Sequence, residues 1–247
     1  MMGFVIGVFA IAGMIKGTIG LGLPAVSMGL LSLVISPFQA ATLLIIPSMV
    51  TNFWQLFAEG NVWRLVCRFY PLLLGIIVGS IWSIFPTLGH SHGSFHSEAL
   101  LGAMLALYGL YGLFAKRMPN LAPHEKWLSP IIGYLGGALT VATGVVVIPV
   151  VPYLQSLHLK RDDLVQSLGL AFTVSTICLA VFLHQNPVED TPIDYKLSLI
   201  ALIPSLLGMW VGTKIRHRIP EQKFRKVFFC GLVIFGLYSV LHQFGVL

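Results

Sequence analysis

The amino-acid sequence predicts an all-α polytopic membrane protein, because its composition, its long apolar stretches and its charge distribution agree. Of its 247 residues, 56% are hydrophobic, only 10% are charged, and the mean hydropathy is +0.87. Soluble domains contain about 25% charged residues, so the composition excludes an ordinary soluble domain. Crossing a hydrocarbon core takes about 20 residues of helix. Six apolar stretches reach that length: 37–57, 69–88, 99–115, 164–184, 197–213 and 227–247.

Two further apolar stretches, 2–36 and 128–157, contain helix breakers near their middle. Each stretch is too long for one upright helix and too short for two complete ones. We therefore expect each to form a helical hairpin, or a pair of short and broken helices that meet within the membrane. The breakers are Gly17, Gly20, Gly22 and Pro24 in the first stretch, and Thr140, Thr143, Gly144 and Pro149 in the second.

The basic residues predict which loops face the cytoplasm. Of the 15 Lys and Arg residues, all but Lys16 and Lys196 lie in four short loops. Lys and Arg in short loops favour the cytoplasmic side of a membrane. With this topology each broken stretch begins and ends on one side, and both termini lie on the non-cytoplasmic side. The four loops are 58–68, 116–127, 158–163 and 214–226.

The same topology predicts a single transmembrane domain, 1–247, built from two inverted repeats. Repeat one covers about 1–117 and repeat two about 128–247, each with a broken hairpin followed by three full spans. An alignment of the chain with itself, at an offset of 120 residues, supports the two repeats more weakly. There Gly13, Lys16 and Gly17 align with Gly133, Gly136 and Gly137. Inverted repeats with discontinuous helices at their interface are common in secondary transporters.

Lys16 is the only Lys, Arg, Asp or Glu inside any of the apolar stretches. A cation within the membrane is energetically expensive, usually faces a cavity or a partner, and marks a substrate or ion pathway. We therefore expect Lys16 to face a cavity or a substrate. Two alternatives stay open, a side chain that extends to the membrane interface and one that pairs with backbone carbonyls.

A series of motifs resembles the TauE/SafE family of bacterial sulfite and organosulfonate exporters. The run from Gly13 to Pro24 is followed by Ser36-Pro37-Phe-Gln-Ala-Ala, Pro47 and Asn52-Phe-Trp-Gln55. The similarity continues through Gly133 to Pro149 and Asp162-Asp-Leu-Val-Gln-Ser-Leu-Gly169. The resemblance implies an inner-membrane transporter of small anions. The breaker here reads Gly20-Leu-Gly22-Leu-Pro24, where many relatives have glycine triplets, so the substrate is not implied.

An anion that enters lipid must exchange its hydration shell for protein donors. A broken helix offers free backbone N–H groups, the positive end of its dipole and, here, an ammonium group. Asn52 and Gln55 share one helix face and line a vestibule or bond a neighbouring helix. The proposed substrate-binding residues are Lys16, Gly17, Thr18, Gly20, Gly22, Asn52, Gln55, Thr140, Thr143 and Gly144.

Several other functions lack support in the sequence. It contains no P-loop, H-E-x-x-H or G-x-S-x-G motif, so we expect neither an enzyme nor a cofactor. His90, His92 and His96 have metal-ligand residue types, but we expect a solvated loop without a metal. The expected partners are a small anion and membrane lipid, without nucleic acid, and a homodimer stays open. A passive anion channel and a membrane scaffold or insertion factor remain the alternatives.

Overall fold

The computed structural model describes residues 2–57, 60, 62–88, 97–114, 119–187, 195–215 and 221–243. Within these ranges the secondary structure is helical, and no strand occurs. A short 3₁₀ turn, Ala122–His124, precedes the sixth of ten α-helices. In chain order these are α1 (Met2–Ile19), α2 (Leu23–Leu31), α3 (Pro37–Phe57), α4 (Val62–Ile81), α5 (Ser97–Phe114), α6 (Glu125–Thr143), α7 (Val150–Ser156), α8 (Arg161–Gln185), α9 (Tyr195–Ile215) and α10 (Glu221–Gln243).

Six of the described helices are long and apolar enough to cross a membrane. They are α1, α3, α4, α8, α9 and the part Arg225–His242 of α10. The apolar part of α5, Ala99–Phe114, is shorter. Many large apolar side chains lie on the outer surface, where lipid rather than water would contact them. The prediction of an all-α polytopic membrane protein is confirmed.

Both predicted hairpins contain a break, although some of the expected breakers lie inside helices. The first break is at Gly20 and Gly22, whose φ angles of 79° and 103° favour glycine, and the second is at Gly144, with φ 75°. Gly17, Thr140 and Thr143 are helical. The two threonine hydroxyls donate to the carbonyls of Gly136 and Leu139, each four residues earlier, and so leave the helix intact.

In each hairpin a long helix is followed by a short one that folds back along it. In the first, Ile11 and Ile15 of α1 line one apolar groove together with Gly29 and Leu30 of α2. Of the two expected arrangements, the structure has the helical hairpin rather than a pair of short helices, because the first helix of each hairpin is long. The 18 residues of α1 measure about 27 Å, enough to cross the hydrocarbon core, whereas α2 has 9 residues.

The second hairpin returns to the level at which it started. Ser129 of α6 and Tyr153 of α7 are joined by a hydrogen bond of 2.7 Å between their hydroxyls. Just before the hairpin, the N–H of Leu121 donates to the carbonyl of Ser156 at its end, at 3.2 Å. The chain therefore enters and leaves this hairpin at the same end.

The fourth helix begins earlier than the sequence predicts. Residues 58–68 were expected to form a loop before a span at 69–88, but α4 already begins at Val62. Arg64 and Arg68 lie on exposed turns of α4 and pair with Asp163 and Glu125. Because these ion pairs hold both arginines at the surface, two charges are tolerated within the first turns of a spanning helix.

α1 packs along α9 through small residues. At each of four glycines an added Cβ would overlap with the backbone of the facing helix. Glycine therefore lets the two backbones approach closely, as in many interfaces between membrane helices. The facing pairs are Gly13 with Ser205, Gly17 with Met209, Gly208 with Ala10, and Gly212 with Met14.

α4 and α6 repeat this packing in the same register. Adding 120 to the number of an α1 contact residue gives the α6 residue that makes the equivalent contact, and adding 133 to an α4 contact residue gives the α9 residue. In both helix pairs the numbers of the facing residues rise together, so the two helices of a pair are parallel. The facing pairs here are Gly133 with Leu72, Gly137 with Ile76, Gly75 with Pro130, and Gly79 with Tyr134.

The two helix pairs run in opposite directions. Near the end of α1 the carbonyl of Gly20 accepts a hydrogen bond from Gln55, which also donates to the carbonyl of Val165 near the start of α8. Near the start of α4, Arg64 pairs with Asp163 of the same turn of α8. The end of α1 and the start of α4 therefore lie at the same end of the bundle.

The α1–α9 contact predicts a large difference between two glycines of one helix. Gly13→Ala is expected to lower the stability by about 1–3 kcal/mol, because the new methyl group would overlap with the backbone of Ser205. Gly7→Ala on the same helix is the control, since nothing lies within 4 Å of its Cβ position. Thermal unfolding in detergent measures both, and equal melting temperatures for the two variants would contradict the contact.

Candidate functional site

Lys16 lies inside the helix bundle and is only 4% exposed. Its Nζ donates hydrogen bonds to Thr51 Oγ1, at 3.0 Å, and to Asn52 Oδ1. Both partners belong to α3 and are themselves buried. The side chain is therefore enclosed by protein, and its partners among the described residues are side-chain oxygens rather than backbone carbonyls.

Within the described residues, the contacts of Lys16 are neutral and include no counter-ion. Both acceptors are neutral, and in the part of the chain that the structure describes no carboxylate forms an ion pair with it. A buried ammonium without a counter-ion is costly, because hydrogen bonds to neutral oxygens recover only part of the lost hydration energy. An anion placed beside Nζ would supply the missing charge.

Asn52 connects Lys16 to the second half of the chain. Its Nδ2 donates to Thr176 Oγ1 of α8 at 3.3 Å, and the Thr176 hydroxyl donates to the carbonyl of Phe172 at 2.7 Å. This chain of hydrogen bonds fixes the amide so that its oxygen faces Lys16. The orientation of Asn52 therefore depends on packing between α3 and α8.

Thr176 borders a small cavity that also contacts the second hairpin. The cavity has a volume of about 10 Å³, close to the minimum for one water molecule. Thr140 and Gly144 of the second hairpin and Ser48 of α3 line it. The buried Ser48 hydroxyl has no hydrogen-bond partner among the described residues. In this conformation the space between Thr176 and the second hairpin is tightly closed.

Gln55 holds the break of the first hairpin against two other helices. Its Nε2 donates to the carbonyl of Gly20 at 3.2 Å and to that of Val165 at 3.0 Å. Gln166 of α8 donates in return to the carbonyl of Leu56 at 3.0 Å. These bonds join the end of α3, the start of α8 and the break after α1 into one unit, here called the Gln55 clamp.

Four of the ten proposed substrate-binding residues have other contacts. Gly17 packs on α9, and the Thr18 hydroxyl donates to the carbonyls of Met14 and Gly212. Gly22 faces Phe228 and Ile15, and the Thr143 hydroxyl bonds to carbonyls within its own hairpin. The other six residues form three pairs. Lys16 contacts Asn52, and Gln55 contacts Gly20 one turn further along. Thr140 and Gly144 lie across the cavity that Thr176 borders.

Two residues at Lys16 were not among the proposed binding residues. Thr51 bonds the ammonium directly, and Thr176 positions Asn52. Thr51 directly precedes Asn52, so the polar pair within an apolar span was a usable signal. The contact with Thr176 is 124 residues distant along the chain and depends on helix packing. His90, His92 and His96 lie outside the described residues.

Comparison with known proteins identifies the family of this chain. A family model described as Sulfite exporter TauE/SafE matches residues 5–239. The chain belongs to the TauE/SafE family. Because the match covers nearly all of the chain and the fold has several membrane-spanning helices, this TauE/SafE member is a multi-pass membrane transporter. Searches of curated proteins and of solved structures found no match.

Proposed function

We propose that this TauE/SafE member is a secondary transporter that exports a small anion such as sulfite, a sulfonate or another sulfur-containing or organic anion. The observation that carries the proposal is the buried ammonium of Lys16, whose contacts within the described residues are neutral oxygens. A compact anion loses a large hydration energy in lipid, and an ammonium in a low-dielectric site attracts it far more strongly than in water.

The proposed binding site lies between the two hairpins. Lys16 supplies the charge, and the hydroxyls of Thr51 and Thr176 supply donors that rotate to suit tetrahedral or pyramidal oxyanions. Thr140 and Gly144 form the opposite wall, across the cavity of about 10 Å³. Since this volume does not hold an oxyanion, binding requires the two hairpins to separate.

Two inverted repeats would provide that movement. The duplicated glycine packing of α1 with α9 and of α4 with α6, in equivalent register and opposite direction, supports such repeats. In transporters of this plan, one repeat moves against the other around a fixed site near the midplane. The Gln55 clamp would have to open on one side of the membrane during this exchange of access.

The charge distribution supports a definite orientation in the membrane. The starts of α4 and α8, where Arg64, Arg68 and Arg161 lie, share one end of the bundle. On the positive-inside rule this end is cytoplasmic, which puts both termini on the other side of a bacterial inner membrane. Basic residues at this end would also contact anionic lipid headgroups. An exporter would load its anion here.

Replacing Lys16 by methionine tests the proposal most simply. In proteoliposomes, Lys16→Met is expected to reduce the initial rate of sulfite transport at least about a hundredfold, because a buried charge–charge contact contributes several kcal/mol. Its melting temperature should be unchanged or higher, because methionine fills a similar volume without a buried charge. Lys196→Met, which removes an exposed lysine at the start of α9, is the control and should transport like the wild type.

The alternative functions give different results in the same assay. Transport that does not saturate with concentration would indicate a passive channel. A scaffold would transport no sulfite, thiosulfate or sulfonate above protein-free liposomes. A Lys16→Met variant as active as the wild type would contradict the proposed site.

Asn52→Asp tests whether the transported anion binds beside Lys16. A carboxylate at residue 52 would become a permanent counter-ion of the ammonium and compete with the anion. We expect the KM for sulfite to rise at least about tenfold, with the fold retained. Asn120→Asp makes the same chemical change at an exposed residue and should have no effect. An unchanged KM for Asn52→Asp would mean that the anion does not bind beside Lys16.

A further inference from the structure

A cavity of about 250 Å³ lies at the tip of the first hairpin, separate from the Lys16 contacts. Gly20 and Leu21 of the break form part of its wall, and α5, α7, α8 and α10 form the rest. On the same measure one water needs about 10–15 Å³, so the cavity has room for a small anion with some of its water. The polar lining residues are Thr18, Tyr108, Tyr111, Gln155, Arg161 and Arg225.

Two arginines give this cavity a positive potential. Arg161 comes from the start of α8 and Arg225 from the first turns of α10. Within the described ranges neither forms an ion pair, since the nearby Asp163 is bound to Arg64. The guanidinium of Arg225 lies 5.7 Å from the centre of the Phe229 ring, which holds its charge beside the cavity wall. Among the described residues that line the cavity, none is acidic.

Tyr108 also lines the cavity, and its hydroxyl is buried in the wall. The side chain is 1% exposed, and its hydroxyl has no hydrogen-bond partner among the residues that the structure describes. Leaving a buried hydroxyl unsatisfied costs about 1–3 kcal/mol. The neighbouring Tyr111 hydroxyl donates to Gln155 Oε1 at 3.2 Å. Guanidinium and phenol donors together match the chemistry of an oxyanion.

The Gln55 clamp separates this cavity from Lys16. Gly20 and Val165, the two residues whose carbonyls accept from Gln55, both line the cavity. Gln55 itself lies one helical turn beyond Asn52, which bonds Lys16. The cavity therefore ends where the contacts of the proposed transport site begin.

We propose that this cavity is an anion antechamber, a second site that binds the oxyanion before it passes the Gln55 clamp and reaches Lys16. The assignment rests on the proposed transport function, which it extends by naming the loading site. The ligand class is a small oxyanion with at least two electronegative oxygens, able to bind both guanidinium groups. On the positive-inside topology the antechamber faces the cytoplasm, where an exporter collects its substrate.

The test uses neighbouring residues as matched controls. All four residues are exposed, but only the arginines line the cavity. Arg161→Gln with Arg225→Gln therefore removes two charges from the lining, whereas Lys160→Gln with Lys226→Gln removes two charges one residue away. Each pair is introduced into the wild type and into Lys16→Met. Binding of radiolabelled sulfite and thiosulfate to the purified full-length protein is measured, together with transport in proteoliposomes.

We expect Lys16→Met to retain one saturable anion site. The arginine pair should weaken binding to that site at least about tenfold, and the lysine pair by less than about twofold. In the protein with Lys16 intact, the arginine pair should raise the KM for transport by a similar factor and leave Vmax near that of the wild type. Added KCl should raise the KM of the wild type more than that of the arginine variant.

Either of two results would overturn the antechamber. In the first, the Lys16→Met protein binds no anion. In the second, the Lys16→Met protein binds the anion equally well with the two arginine substitutions and with the two lysine substitutions. If the arginine pair does not fold, Tyr108→Phe gives the same readout. It removes only the unpartnered hydroxyl, so the melting temperature should stay the same or rise while anion binding weakens. Failure of the transport function would look different, because wild-type proteoliposomes would then not transport the anion even if Lys16→Met bound it.

Discussion

The fold is organised around one buried positive charge that the described part of the protein does not neutralise. Lys16 lies in the last turn of α1, and its contacts are the oxygens of Thr51 and Asn52. Such a charge is stable only where several helices exclude lipid from it and orient dipoles toward it. The break after α1, the Gln55 clamp and the contact between Asn52 and Thr176 all hold those dipoles in place.

The scaffold that holds Lys16 is duplicated, but the charge is not. The glycine contacts of α1 with α9 recur between α4 and α6 in the same register. At the 120-residue offset, however, the residue equivalent to Lys16 is Gly136, and an added Cβ there would overlap with Val150. One hairpin therefore carries the electrostatic element, while the other is closely packed.

Hydropathy and glycine placement were sufficient to predict the helical membrane fold and both breaks, because lipid imposes strong constraints on composition and backbone bonding. The start of α4 could not be predicted, because Arg64 and Arg68 depend on ion pairs with distant acidic residues. Lys16 was selected from the sequence as the only charged residue inside an apolar stretch, and Asn52 because it shares a helix face with Gln55. The antechamber was not, since Arg161 and Arg225 also fit the positive-inside pattern, and only helix packing places both on one cavity.

Anomalous scattering gives the most direct test of the central claim. Selenite has the geometry of sulfite and contains an anomalous scatterer, so crystals of the protein grown in lipid with selenite would locate the anion independently of side-chain density. The account predicts selenium density beside Lys16, with a selenite oxygen at about 2.7–2.9 Å from Nζ. Selenium density at other places only, with Lys16 still bonded to Thr51 and Asn52 alone, would contradict it.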